Sequence, residues 1–254
     1  MEQSISPDGT LVFTITSNGY KEYSYNLWLQ LYRLQVQWQL LIVCLDRASY
    51  DYFTTKTGFG GFKPVAMLLV DSKAGPSGAT QQRPAPFGST QFKKFVEMKL
   101  DALRLFAANG AVRHLAYMDS DIMVRRDPVP RLRELLVESP LWFQCDEGHM
   151  DACRDPCRDQ CTGLIAMDCD AIRAELCELF KVASKDGLIA TSDQDYVQRR
   201  LDILGITFRM LPRTEFPNGV WRNALPSDAL LLHFNHCLGS EKQKLMRDLN
   251  AWII

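Results

Sequence analysis

Two carboxylates stand two residues apart in Asp119-Ser120-Asp121, directly after the apolar run His114 to Met118. If that run is a strand, the acids project to the same side at its carboxyl end. This is where open α/β sheets bind ligands. Hard divalent cations, Mn2+ or Mg2+, take carboxylate oxygens and share their other positions with substrate phosphates, so the pair suits a metal-nucleotide site. A solvated turn or a helix cap would also explain two acids at this spacing.

The far end of the chain offers the complement. Ala229-Leu230-Leu231-Leu232 reads as a buried strand that runs into His233-Phe234-Asn235-His236, followed by Gly239, Lys242 and Lys244. An imidazole beside two carboxylates completes a Mn2+ ligand set, and lysines can neutralise a diphosphate. Either histidine fits; His233 is preferred because it ends the strand. Ser192-Asp193-Gln194-Asp195 opens a helical pattern, where the short polar residues serve as a cap or place a carboxamide and a carboxylate over a bound sugar. Cys145, His149, Cys153, Cys157 and Cys161 recur every four residues. Free thiols in a loop over the site are the first expectation for them, with a disulfide or a structural Zn2+ site as alternatives, since no Cys-x-x-Cys is present.

The elements that must position these residues follow from periodicity. Strands are expected at Leu11 to Thr16, Leu40 to Cys44, Phe62 to Val70, His114 to Met118, Leu141 to Cys145 and Thr162 to Met167. Helices are expected at Tyr25 to Val36, Arg47 to Thr55, Phe92 to Asn109, Arg131 to Val137, Ala171 to Ser184 and Asp193 to Leu204. Alternating strands and helices predict an α/β fold with a mostly parallel sheet flanked by helices. Two stretches break the rhythm: a Gly, Pro and Ser-bearing loop or lid at about 71–91, and a polar, cysteine-bearing loop at about 146–161.

Composition removes several classes. With 29 Lys+Arg against 30 Asp+Glu the chain lacks the basic footprint of a nucleic-acid binder. The apolar runs are strand-sized, so no membrane span is expected, and the polar start is unlike a secretion signal; the expected setting is cytoplasmic or soluble. No Gly-x-Gly-x-x-Gly opens the first helix, and no P-loop, His-Glu-x-x-His or Gly-x-Ser-x-Gly occurs.

The ordered set Asp119-Ser120-Asp121-Ile122, Thr162-Gly163-Leu164, Asp193-Gln194-Asp195 and His233-x-Asn235-x-x-x-Gly239 with following lysines resembles the nucleotide-diphospho-sugar transferases. More narrowly it is similar to glycosyltransferase family 77 and the glycogenin-like family 8, over a single domain at residues 10–252. The resemblance implies a GT-A fold, a UDP-linked sugar donor, a divalent metal and retaining transfer to a hydroxyl of a glycan or protein acceptor. It further implies Asp119, Asp121 and His233 as metal ligands, and Asp193 with Gln194 beneath the sugar as the catalytic pair. Donor contacts are implied for Thr16, Ser17, Tyr20, Asp46, Lys99, Asp119, Ser120, Gly239 and Lys242. Two other outcomes share these residues: a catalytically inactive module that binds nucleotide sugars or glycans, and a metal-dependent sugar-nucleotide hydrolase.

Overall fold

The computed structural model describes residues 2–56, 64–69, 89–146, 159–182, 192–235, 237 and 239–254. The strands are β1 Thr10–Thr16, β2 Leu40–Cys44, β3 Val65–Leu68, β4 His114–Met118, β5 Ile122–Val124, β6 Leu141–Cys145, β7 Gln160–Asp168, β8 Arg209–Met210 and β9 Leu231–His233. The helices are α1 Lys21–Arg33, α2 Arg47–Thr55, α3 Thr90–Ala107, α4 Val129–Glu138, α5 Cys169–Leu179, α6 Asp193–Leu204 and α7 Gly239–Asp248. The body of the loop expected at 71–91 and most of the cysteine-bearing loop lie outside the described residues, as do His149, Cys153, Cys157 and His236.

The described strands form a seven-stranded sheet in the order β3-β2-β1-β4-β7-β6-β8 and a two-stranded sheet of β5 and β9. Within the larger sheet β7 runs against its neighbours β4 and β6, and the remaining pairings are parallel. The expected α/β class with a mostly parallel sheet is therefore what forms. Strands covered on both faces need apolar side chains on both, which is why β1 and β2 read as unbroken apolar or β-branched runs rather than alternating ones.

One face of the sheet, carrying Phe13, Leu115, Tyr117, Phe143 and Ile165, packs on α3, α5 and α6 through Leu100, Phe106, Leu176 and Val197. The other, carrying Val12, Ile42, Ala116, Trp142 and Leu164, packs on α1, α2 and α4 through Leu27, Phe53 and Leu132. A third cluster of Met123, Leu232, Phe234, Met246 and Trp252 joins the small sheet to α7 and the end of the chain. No helix among the described residues is long and apolar enough to cross a membrane.

Three features aim residues at one end of the sheet. The parallel register Phe13↔Tyr117 brings the segment after β1 beside the segment after β4. Antiparallel pairing of Ile122 with His233 sets β9 against the acids. Between Phe143 and Gln144 the β6–β7 register shifts, from Phe143↔Ile165 to Gln144↔Cys161. Such irregularities re-aim a side chain, and here the one re-aimed is the buried Gln144.

Candidate active site

Asp119 and Asp121 leave the end of β4, and His233 ends β9. Their ligating atoms lie within 4.8 Å of one another, which makes the trio a group able to hold a metal ion. The Nε2 atom of His233 is 3.6 Å from Asp119 Oδ2 and 3.3 Å from Asp121 Oδ1. Its other ring nitrogen, Nδ1, is 2.8 Å from the side-chain oxygen of Gln144. The orientation of that amide is set by its nitrogen, which donates to the carbonyls of Phe216 and Pro217 at 3.1 and 3.0 Å. Gln144 therefore offers His233 an acceptor, Nδ1 carries a proton, and Nε2 faces the carboxylates. A ligating imidazole is ordinarily held this way by a partner behind it. Donor types and support both fit a hard or borderline divalent cation.

The electrostatics agree. Burial disfavours a charged imidazole, yet Asp121 draws the pKa of His233 well above the usual histidine value. Burial would raise the Asp121 carboxyl, but Lys242 and then His233 hold it well below the usual carboxylate range. Two carboxylates thus attract a positive centre to Nε2, either a proton or a metal cation. Lys242, on α7, contacts Asp121 Oδ2 directly, and this carboxylate raises the ammonium pKa against the effect of burial. Gly239 opens the helix that carries it.

Gly163, on β7, makes room for the group. A Cβ there would lie 2.2 Å from His233 Cε1 and 2.7 Å from Asp119 Oδ2, so no larger residue fits without moving one of these side chains. Its carbonyl accepts from the Asp119 amide at 2.7 Å, fastening the end of β4 to β7.

A second layer lies behind Asp119. Lys99, on α3 and only 3% exposed, places Nζ 2.8 Å from Asp193 Oδ2 and 3.6 Å from Asp119 Oδ1, over the Tyr117 ring. Thr162 donates to the same Asp193 oxygen at 2.6 Å, and the Tyr117 hydroxyl donates to Asp119. Burial would raise the Asp193 carboxyl, but Lys99 holds it below its ordinary value. Ser192, not Asp193, caps α6: its hydroxyl accepts from the Asp195 amide at 3.1 Å. That leaves Asp193 for the site. Gln194 beside it donates to Asp146 at 2.9 Å.

The loop after β1 forms a rim. Tyr20 sits near Phe95 with ring centroids 5.6 Å apart, and burial pushes its hydroxyl pKa up to about 12, against the pull of Lys242. Thr16 is fully buried, and its hydroxyl donates to the Ser17 carbonyl at 3.3 Å. Asp46 acts on the rim from outside: its oxygens accept from the amides of Ser49 and Asn18, each at 2.7 Å, so it caps α2 and anchors the loop. Ser120 is buried between the two acids in sequence.

The match to known proteins is coherent with this geometry. A family model described as nucleotide-diphospho-sugar transferase matches residues 35–247. The chain belongs to the nucleotide-diphospho-sugar transferase family. No curated protein is significantly similar in sequence. An active-site mutant of LgtC is similar in structure at a TM-score of 0.55 with 10% identity, over 94% of this chain and 95% of that one. GlyE of Streptococcus pneumoniae TIGR4 reaches 0.56 with 13% identity, over 96% of this chain and 60% of GlyE. Mouse xyloside xylosyltransferase 1 reaches 0.54 with 11% identity, over 88% and 97%. At such identities these structures establish the fold, a glycosyltransferase architecture like that of LgtC.

For this nucleotide-diphospho-sugar transferase the sequence expectations meet one correction and several additions. Free thiols are the first expectation for the cysteine group, but Cys145 is in a disulfide. Cys161 keeps a free thiol, 3.7 Å from His233 Nδ1. Of the strand expected over Phe62 to Val70, residues 64–69 are described, and Val65–Leu68 within them forms β3. Gln144, Asp146 and Tyr117 are site residues that motif spacing did not single out. Gln144 carried a signal, being the one amide in the apolar strand Leu141-Trp142-Phe143-Gln144-Cys145.

Proposed function

We propose that this chain is a metal-dependent retaining glycosyltransferase, moving a sugar from a nucleoside diphosphate donor, UDP-linked, to a hydroxyl of a glycan or protein acceptor. The observation that carries the reading is the Asp119, Asp121 and His233 group, with Lys242 against one acid and Lys99 linking the other to Asp193. Asp119, Asp121 and His233 would hold Mn2+ or Mg2+. Such a cation, when bound, supplies Lewis-acid neutralisation of diphosphate charge.

The chain's own residues divide the remaining work. Cleavage between sugar and diphosphate builds negative charge on the leaving oxygens and oxocarbenium character on the sugar. Lys242 is placed to follow the leaving diphosphate, since its ammonium already sits at the edge of the carboxylate pair. Lys99 keeps Asp193 ionised and fixed, so the start of α6 presents a carboxylate and a carboxamide toward positive charge on the sugar. That LgtC has an active-site mutant in which Gln is replaced by Glu supports a working role for Gln194. Tyr20, with Thr16 and Ser17, forms the base-side rim.

The test is turnover of a panel of UDP and GDP sugars with Mn2+, with and without simple glycan acceptors. Release of nucleotide that an acceptor accelerates, with the product keeping the donor's anomeric configuration, is the expected result. Release that no acceptor accelerates makes the chain a hydrolase, and binding without release makes it an inactive module.

A further inference from the structure

Asp146, the residue after β6, has no part in the roles above, yet it joins two of the site's elements. Its Oδ2 accepts from Gln194 Nε2 at 2.9 Å and its Oδ1 from Asn235 Nδ2 at 2.5 Å. Gln194 follows Asp193 at the start of α6, and Asn235 lies two residues past His233. The carboxylate therefore ties the Asp193–Gln194 end of α6 to the strand end that carries the imidazole. Asp146 is itself held, its amide donating to the Asp159 carbonyl at 2.7 Å, while Asn218 donates to the preceding Cys145 carbonyl at 3.1 Å.

The directions of these hydrogen bonds are fixed. The side-chain oxygen of Asn235 accepts from the Gly219 amide at 2.7 Å, so its nitrogen must face Asp146. An ionised carboxylate has only acceptors to offer, so Gln194 must also turn its nitrogen inward. Its carbonyl oxygen then points away from Asp146. For a group set beneath a sugar the choice matters: the oxygen end of the amide dipole stabilises a carbon gaining positive charge, and the NH2 end opposes it.

We propose that Asp146 is a positioning residue that locks the Gln194 carboxamide with its carbonyl oxygen, not its NH2, toward the sugar. The inference rests on the reading of Gln194 as the group beneath the donor sugar. Asp146→Asn tests it, because the new side chain has one acceptor and one donor end. Asn235, pinned by Gly219, claims the acceptor, and Gln194 must turn over to meet the donor. The expected result is a kcat lower by roughly 100-fold, with the donor KM and Mn2+-dependent UDP affinity within about twofold of wild type.

The double variant Asp146→Asn with Gln194→Glu exchanges amide and carboxylate, and residue 194 again presents an oxygen. Its kcat is expected to exceed that of both single variants, since Gln194→Glu alone sets two carboxylates face to face. A wild-type kcat in Asp146→Asn overturns the proposal. So does loss of UDP affinity in step with kcat, or a double variant no faster than the single ones. A wild type that turns over no nucleotide sugar removes the reading of Gln194 itself, and this inference with it.

Discussion

Gly163 carries the sharpest steric constraint in the site. Alanine there would put a methyl carbon 2.2 Å from His233 Cε1, so the imidazole must leave the carboxylates or β7 must shift. Gly163→Ala is expected to cost about 1–3 kcal/mol, as overpacking does, and to abolish Mn2+-dependent UDP binding in a calorimetric titration. Unchanged binding would show that His233 is not needed there. Lys99 and Asp193 make a second residue-scale test. Since Lys99 lowers the Asp193 pKa, their contribution is present above the unfolded carboxylate value of about 3.9 and is lost as pH falls through the lower folded value. Asp193→Asn should cost about 3 kcal/mol at neutral pH, the low end for a broken buried pair because Lys99 keeps Asp119. It should also flatten the loss of stability in acid, measured by urea unfolding across the carboxylate range. The acids, His233 and Lys99 were legible as types at spacings. Their mutual support was not, because Thr162 and Gln144 act through hydrogen bonds between residues dozens of positions apart.

At the scale of elements, β6 and α6 carry Gln144, Asp193 and Gln194 to the candidate site. The register shift after Phe143 delivers the Gln144 amide to His233, so Gln144→Leu should weaken Mn2+ affinity by about 10- to 100-fold, the usual effect of losing a ligand's supporting partner. It should also leave the Phe216 carbonyl and the Nδ1 proton short of a partner, lowering stability by about 1–3 kcal/mol. Ser192→Ala removes only the cap of α6 and should cost about 1 kcal/mol with metal affinity intact. The long elements matched their periodic signals; Arg47–Thr55, for example, is the helix expected there. Two of the short strands did not announce themselves. β5 and β8, of 3 and 2 residues, are too brief to show a period, and β5 is a strand only through its pairing with β9. α7 is mostly polar, with Leu245 and Met246 alone among its apolar residues, so its sequence gives little sign of the buried cluster it completes.

Across the whole molecule the parallel register gathers chain ends, not neighbours: the segment after β1, the acids after β4, the end of β9 and the start of α6 meet at one end of the sheet. That convergence explains why motifs spread from Thr16 to Lys242 can act as one site, and why a family model spans residues 35–247. It also predicts that metal and nucleotide bind as a unit. The most direct test is the thermal shift of wild type and Asp121→Asn with UDP, with and without Mn2+. UDP at about 100 times its Kd should raise the wild-type Tm by about 5–10 °C, only when Mn2+ is present. Asp121→Asn should keep its fold and show no such shift. A wild type that binds UDP equally well without Mn2+, or an Asp121→Asn variant with the full Mn2+-dependent shift, would contradict the account.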